Sequence, residues 1–568
     1  MTNDTVLNNF IDTFSKEYCF ESLDDSKKFE LFVNYNIVSK FYPRSFDIEE
    51  LSVDGENDTG IDGIAIIVNG NIINSPEEIY GLIENDNSIE TTFVLIQSKK
   101  SSRTKSDWIG TFIFGVKSLF DDSPSIEENE KIKIAREIKN AIYSKSINFA
   151  SNPTLKLYFA NASKWKESEY IKNRAKRELE ELNNKNLFSE DVVIDFYDAE
   201  KLKTTYREIN RKVIKEISIP TQVALPEISN QGGVKQSFLG CASAIDYIKL
   251  ISDSDGNLSR GLFYDNVRDY QGNNKVNLEI KNTLNSRNEQ SLLLLLNNGI
   301  TIISRKIDRV GNKIKLTDFQ IINGCQTSYV LFNNRDKIAP ETNIVLKIIE
   351  TNDQEIINKI IRATNRQTEV KEESFESIKP FHRGLQEYYK AIANKIKYPI
   401  YYERRSKEFI DNANIKPYQI ISLSGQIKSY VSTVLAQPQS THRYFGELLN
   451  SNRDKIFVDK TGFEDYYLSA LIVNRIETLY KRKNTKYKRF KYHLALIIFK
   501  KIKQEIKNNL CYEDLILKKE SLEELAPYIK DAEDALDTAL KNTAVHPKEV
   551  IRSREFTQEL LKTINPAH

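Results

Sequence analysis

Apolar residues recur at helical spacing early in the chain. Residues 5–18 and 26–41 both carry the pattern. In the second, Phe29, Phe32, Val33 and Ile37 line one face, behind Asp25 or Ser26 as a cap. The period then changes. Gly60-Ile-Asp-Gly63 leads into an apolar run over 64–68, Asn69-Gly70 supplies a two-residue hairpin turn, and Ile72-Ile73 begins the return strand. The pattern further predicts a short helix at 76–83, a strand at 93–97 and a helix with an aromatic face at 107–120. A strand at 155–160, a charged helix ending near 182 and a strand at 192–197 follow. Residues 1–217 are thus expected to form a mixed sheet flanked by helices.

Residues 218–236 hold two prolines and a Gly-Gly pair with few charges, and read as a linker. Over 237–440 strands and helices alternate: a helix near 242–251, strands at 299–304 and 319–322, a helix after Gln326, a strand at 343–350 and a helix from 353. That is a second α/β domain. Residues 441–568 are mostly helical, with long amphipathic stretches at 468–479 and 493–506. The fold class is multi-domain α/β with a helical C-terminal region. Neither solenoid repeats nor low-complexity tracts are visible.

Composition narrows this picture little. Hydrophobic residues make up 40 % and charged residues 29 %, the balance of a water-soluble globular chain, and 82 Lys and Arg nearly cancel 80 Asp and Glu. Any basic surface is therefore local. Cys19, Cys241, Cys325 and Cys511, and the five histidines, lie too far apart for metal-ligand spacing or a disulfide framework, which argues against zinc. The opening MTNDTVLNNFIDTF does not read as a signal peptide, and no apolar run reaches membrane-spanning length. A cytoplasmic protein without membrane contact is expected.

The first candidate chemistry lies at Asp62, Gln97 and Lys99. Hydrolysis of a phosphodiester needs a metal to polarise the phosphate, an activated water and a cation for the developing charge. Magnesium takes hard oxygen ligands and uses only one or two protein carboxylates. Asp62 sits between Gly60 and Gly63, where small neighbours let a phosphate backbone approach. Gln97 and Lys99 end a strand two residues apart and so share a face. If the two strands pair, a carboxylate, an amide oxygen and an ammonium converge.

This arrangement resembles the PD-(D/E)XK nuclease core, a helix–hairpin–strand–helix unit, with Gly60-Ile-Asp62-Gly63 and Gln97-Ser98-Lys99 as its motif. The resemblance implies a restriction-endonuclease-like sheet, Mg2+ (or Mn2+) held by Asp62 and Gln97, and Lys99 at the water or scissile phosphate. It also implies a helical glutamate, for which Glu30 fits. Gln97 stands where most members have a carboxylate and removes a negative charge. A second reading therefore stays open: a nucleic-acid- or nucleotide-binding sensor with a degenerate, non-cleaving core.

The middle region holds Asn297-Asn298-Gly299-Ile-Thr301, Ile322-Asn323-Gly324-Cys325-Gln326-Thr327 and Ala363-Thr-Asn365-Arg366-Gln367, with Arg268 upstream. The second joins a strand to a helix, whose N-terminus offers unpaired N–H groups to a phosphate. Asn298, Asn323, Gln326 and Asn365 can hydrogen-bond bases or sugars, and Arg268 or Arg366 can hold a phosphate. "NNGITI", "IINGCQTSYVL" and "ATNRQTEV", in this order, resemble the abortive infection phage resistance (AIPR) family over residues 237–440. The resemblance implies antiphage defence and a phage-derived trigger. A weaker likeness to ParB and sulfiredoxin-like domains implies a nucleotide site, although this chain has Gly324-Cys-Gln-Thr327 where those domains carry arginine.

Two basic stretches complete the candidates. Lys481, Arg482, Lys488 and Arg489 lie in a run interleaved with Tyr480, Tyr487, Phe490 and Tyr492, suited to phosphate contact and base stacking. Arg404 and Arg405 follow a Tyr-Tyr-Glu segment as a further phosphate clamp. Acidic residues 520–524 are the expected counter-charge to the first run. Nucleic acid, DNA ahead of RNA, is the expected partner, and the C-terminal helices are expected to hold a second protomer in a dimer.

Overall fold

The computed structural model describes residues 4–564 except 43, 54, 56–57, 85–88, 102–105, 122, 124–126, 150, 164–168, 211–212, 227–232, 254–255, 264–274, 365–375, 377–378, 405–407, 410–411, 413, 459–461, 482–484, 507–511 and 546–548. The first region begins with helices α1 (Thr5–Glu17) and α2 (Asp25–Phe41). Asp24, one residue before the expected cap, closes α2 by accepting from Ser26 N at 2.8 Å and Lys27 N at 3.0 Å. The α2 face bearing Phe29, Phe32, Val33 and Ile37 is buried as the spacing predicts.

Strands β1 (Gly63–Val68) and β2 (Asn71–Ile72) form the expected hairpin. Asn69 and Gly70 both have positive φ, 47° and 73°, the conformation that matches the twist of a two-residue hairpin. After α3 (Pro76–Glu84), β3 (Thr91–Lys99) runs antiparallel to β1. The chain continues through α4 (Ser106–Phe120), α5 (Glu130–Tyr143), β4 (Thr154–Asn161), α6 (Glu169–Asn184), β5 (Ile194–Tyr197) and α7 (Ala199–Ile209). β4 and β5 add in parallel, giving the order β2-β1-β3-β4-β5.

Alternate residues of β3 face two cores. Phe93 and Leu95 pack with α4, α5 and α6, while Val94 and Ile96 pack with α1, α2 and α7. Burying each such side chain contributes about 1.5–3 kcal/mol. The sheet is covered on both sides, and its functional groups are confined to one end.

Residues 218, 221–224 and 234–236 of the expected linker instead lie in strands of the second sheet, and 227–232 lie outside the described residues. β6 (Ile214–Ser218) and β7 (Thr221–Ala224) lie on its two edges, joined by Ile219-Pro220, and β8 (Val234–Ser243) follows. Proline is tolerated there because no ladder bond needs its N–H. The expected helix at 242–251 is α8 (Ala244–Ile251), shortened because its first residues extend β8.

Next come α9 (Lys275–Asn285), α10 (Leu293–Leu296), the long hairpin β9 (Ile300–Val310) and β10 (Lys313–Asn323), α11 (Cys325–Asn333), β11 (Asn343–Thr351) and α12 (Gln354–Thr364). The sheet order is β6-β10-β9-β11-β8-β7. Within this sheet only β9 and β11 pair in parallel among the described residues, so this α/β region is mostly antiparallel.

The last region holds α13 (Pro380–Ala393), β12 (Tyr401–Glu403), β13 (Ile420–Ser422), α14 (Leu423–Thr433), α15 (Phe445–Ser451), α16 (Phe463–Tyr480), α17 (Lys491–Ile506), α18 (Tyr512–Lys518), α19 (Leu522–Asn542) and α20 (Arg554–Ile564). One apolar cluster joins Phe381, Leu385 and Tyr389 of α13 to Leu494 of α17 and Leu560 of α20. The expected division at 440 falls inside this cluster. No helix among the described residues is long and apolar enough to cross a membrane.

Candidate active site

Asp62 lies one residue before β1. Gly63 pairs with Ile96, so continuing the register sets Asp62 opposite Gln97, and Asp62 N donates to Ile96 O at 2.8 Å. Ser98 N donates to Asp62 Oδ2 at 2.6 Å, Ser98 Oγ donates at 3.1 Å, and Lys99 Nζ is 3.5 Å away. All three fall on Oδ2. Burial pushes the Asp62 carboxyl above its ordinary value, against the pull of Lys99 and the Ser98 donors.

Gln97 is 2 % exposed, and its Oε1 has no hydrogen-bond partner among the described residues. Gly60, with φ +75°, lets the preceding loop lie against it: a Cβ there would stand 3.2 Å from Gln97 Nε2 and 3.0 Å from Thr111 Cγ2 of α4.

Glu30 comes from α2 and accepts from Lys27 Nζ at 2.8 Å and from Ser52 Oγ. Its carboxyl is pushed up to about 7, chiefly by burial, with the Asp62 charge acting in the same direction against Lys27 and Ser52. One turn on, Asn34 is fully buried against Gly63, where any Cβ would run into its amide. Neither amide atom of Asn34 has a hydrogen-bond partner among the described residues. Ser52 forms an isolated antiparallel bridge to Gly63, and Val53 N donates to Asp62 O at 3.0 Å. The structure thus joins all four expected residues, Glu30, Asp62, Gln97 and Lys99, at one end of the sheet.

Sequence reasoning missed Lys27, Asn34, Ser52 and Ser98 here. Lys27 and Glu30 at i,i+3 were a legible helix pair. The other three depend on strand register and helix packing.

Among the described residues no group of three or more His, Cys, Asp or Glu side chains could hold a metal ion. The donor set nonetheless suits a hard cation that keeps most of its waters. Asp62 Oδ1 makes no hydrogen bond among the described residues, and Gln97 Oε1 is a buried acceptor without a donor. Asp62 and Gln97 are the residues that would hold Mg2+ or Mn2+.

The described residues of the middle motifs also meet, and several of their side chains are hydrogen-bonded within the chain. Asn297 Nδ2 donates to Thr327 Oγ1 at 2.8 Å, and Asn297 Oδ1 accepts from Gly299 N at 2.9 Å. Asn323 Nδ2 donates to Thr364 O at 3.2 Å, and Gln326 Oε1 accepts from Asn277 Nδ2 at 2.7 Å. Asn298 is exposed. Gly324 enters α11 at φ +93°, and a Cβ there would meet Ile300. Cys325 is buried core.

Arg404 Nε donates to Gln386 Oε1 at 3.0 Å. Lys481 stacks over Phe20 at 4.6 Å, and Lys488 lies 3.9 Å from Glu49. Arg489 is exposed beside the Phe490 ring. The counter-charge to this run is Glu477, Asp537 and Glu49 rather than residues 520–524. Arg268, Asn365, Arg366, Arg405 and Arg482 lie outside the described residues.

A model of the AIPR protein family matches residues 263–551, just over half of the chain. The chain belongs to the AIPR family, whose role is abortive-infection defence against phage. The N-terminal sheet lies outside that match. No curated protein and no solved structure matches.

Proposed function

We propose that this AIPR protein defends against phage by hydrolysing phosphodiester bonds of nucleic acid, DNA ahead of RNA, with its N-terminal domain. One observation carries the reading: Asp62 lies opposite Gln97 with Lys99 3.5 Å from the carboxylate, and Gln97 Oε1 has no donor among the described residues. The strand order, with β1 antiparallel to β3 and β4 parallel to it, supports a restriction-endonuclease-like sheet.

In this reading Asp62 and Gln97 hold a divalent cation. When bound, the cation supplies a polarised phosphate and a more acidic water. Lys99 supplies positive charge where the phosphate gains negative charge. Glu30, poised near neutrality, takes a proton within the site. Incubating the full chain with labelled DNA and RNA, in Mg2+ and in EDTA, tests the proposal. Metal-dependent cutting abolished by Asp62→Asn and Lys99→Met supports it. Cutting that survives both changes sinks it.

The sensor reading has its own support in the amide at position 97 and in the lack, among the described residues, of a group of three or more His, Cys, Asp or Glu side chains that could hold a metal ion. Calorimetric titration with Mg2+ and Mn2+ separates the two. Absence of metal binding, with nucleic-acid affinity retained in Lys99→Met, favours the sensor.

A further inference from the structure

The basic stretch of the C-terminal helices faces an acidic loop of the N-terminal domain. Between α2 and β1 the chain runs Asp47-Ile-Glu49-Glu50, three carboxylates in four residues. Glu49 Oε1 lies 3.9 Å from Lys488 Nζ. Glu50 pairs with Lys131 of α5 at 2.8 Å, and Lys131, Lys491 and Lys488 together hold its carboxyl down to about 2 against the effect of burial. Lys491 pairs with Glu477 at 2.7 Å and also feels the charges of Glu50 and Asp47.

These lysines are where a phosphate backbone would find its cations, and exposed Arg489 stands beside them. The carboxylates of the loop already occupy that field. Binding of a polyanion here must therefore exchange one set of anions for another. The loop's far end borders the candidate active site, with Ser52 on Glu30 and Val53 on Asp62.

We propose that the acidic loop 47–50 is a built-in competitor of nucleic acid for Lys488 and Lys491. The inference rests on the nucleic-acid reading above, but not on cleavage, so its test is run in EDTA. Full-length protein is titrated into short labelled single-stranded and duplex DNA at several salt concentrations, with fluorescence anisotropy as readout.

Neutralising the loop with Glu49→Gln and Glu50→Gln is expected to tighten binding about tenfold and to steepen the salt dependence by about one or two released ions. Adding Lys488→Gln and Lys491→Gln reverses the gain. Glu49→Gln alone, which leaves the Glu50–Lys131 pair intact, gives part of it. Asp336→Asn with Glu341→Gln, neutralising two exposed carboxylates of the middle region, controls for overall charge and leaves affinity nearly unchanged.

Wild-type binding that the loop variant does not alter overturns the proposal alone. So does a gain that persists without the two lysines, or one that the control reproduces. Absence of binding in wild type and variant alike overturns both this proposal and the nucleic-acid reading.

Discussion

Two polar clusters in this chain follow opposite rules. Beside the second sheet, one group of buried polar side chains is well bonded. Gln290, 2 % exposed, donates to Leu284 O and Lys337 O and accepts from Ala339 N and Thr342 Oγ1, all at 2.7–2.9 Å. Tyr247 and Ser328 share a hydroxyl–hydroxyl bond at 2.6 Å. At the end of the first sheet the bonding is incomplete. Among the described residues Gln97 Oε1 and both amide atoms of Asn34 have no partner, Asp62 is desolvated, and Glu30 is pushed up to about 7. Each buried unsatisfied group costs about 1–3 kcal/mol. The cluster beside the second sheet supports its fold, whereas the one at the end of the first sheet keeps buried groups that weaken the fold, as the proposed cation site would require.

The largest expected effect breaks function without breaking structure. Asp62→Asn is predicted to lower cleavage by about 10²–10³-fold, or about 3–4 kcal/mol of activation free energy. The melting temperature stays level or rises, because a desolvated charge is removed. Paired cleavage time courses and thermal scans check this. A fall in stability matching the loss of activity would erase the contrast between the two clusters.

The converse substitution is Gln290→Ala. It strands several buried partners and is predicted to cost roughly 3 kcal/mol in denaturant unfolding, with cleavage per folded molecule unchanged. Lost cleavage with intact stability would reverse the assignment of the clusters.

A third effect separates the two by pH. Glu30 titrates at about 7 in the folded chain against an ordinary 4.5. Between those values the native state holds a proton that the unfolded state has released, so this group makes stability fall as pH rises from 4.5 to 7. If the carboxylate is the working form, cleavage rises over the upper part of the same window, about tenfold per pH unit. Rate profiles and urea midpoints of wild type and Glu30→Gln therefore should diverge in opposite senses. Identical pH profiles in the two proteins would remove Glu30 from the site.

The sequence exposed the parts of this site that depend on local geometry. Alternation alone put Gln97 and Lys99 on one face, and Asn69-Gly70 announced the β1–β2 hairpin, while Asp62 is aligned by the pairing of β1 with β3. Ser98 was invisible as a donor because its N–H reaches Asp62 only in the observed register, across thirty-six residues of chain. The prolines of 218–236 suggested a linker, yet Pro220 joins two edge strands and Pro226 lies just after one of them. The basic run near 488 showed its own charge but not the acidic loop opposite, since that pairing joins two domains. Helix α5 was legible in principle, for Ile132, Ala135, Ile138 and Ile142 keep helical spacing.

Asn34 offers the smallest and sharpest test of the comparison. It lies one helical turn beyond Glu30, is fully buried, and leaves both amide atoms unbonded beside Gly63. Leucine has nearly the same branching and removes the unsatisfied groups. Asn34→Leu is therefore predicted to raise stability by about 1 kcal/mol, a shift of about 2–4 °C in melting temperature. If the amide serves the fold alone, cleavage is untouched. If it orients a group at the site, the more stable variant cleaves more slowly, and the pH limb of Glu30 moves with it. A loss of stability on this substitution would show that Asn34 is satisfied in solution and belongs with the bonded cluster, leaving Gln97 as the unfilled acceptor on which the metal reading depends.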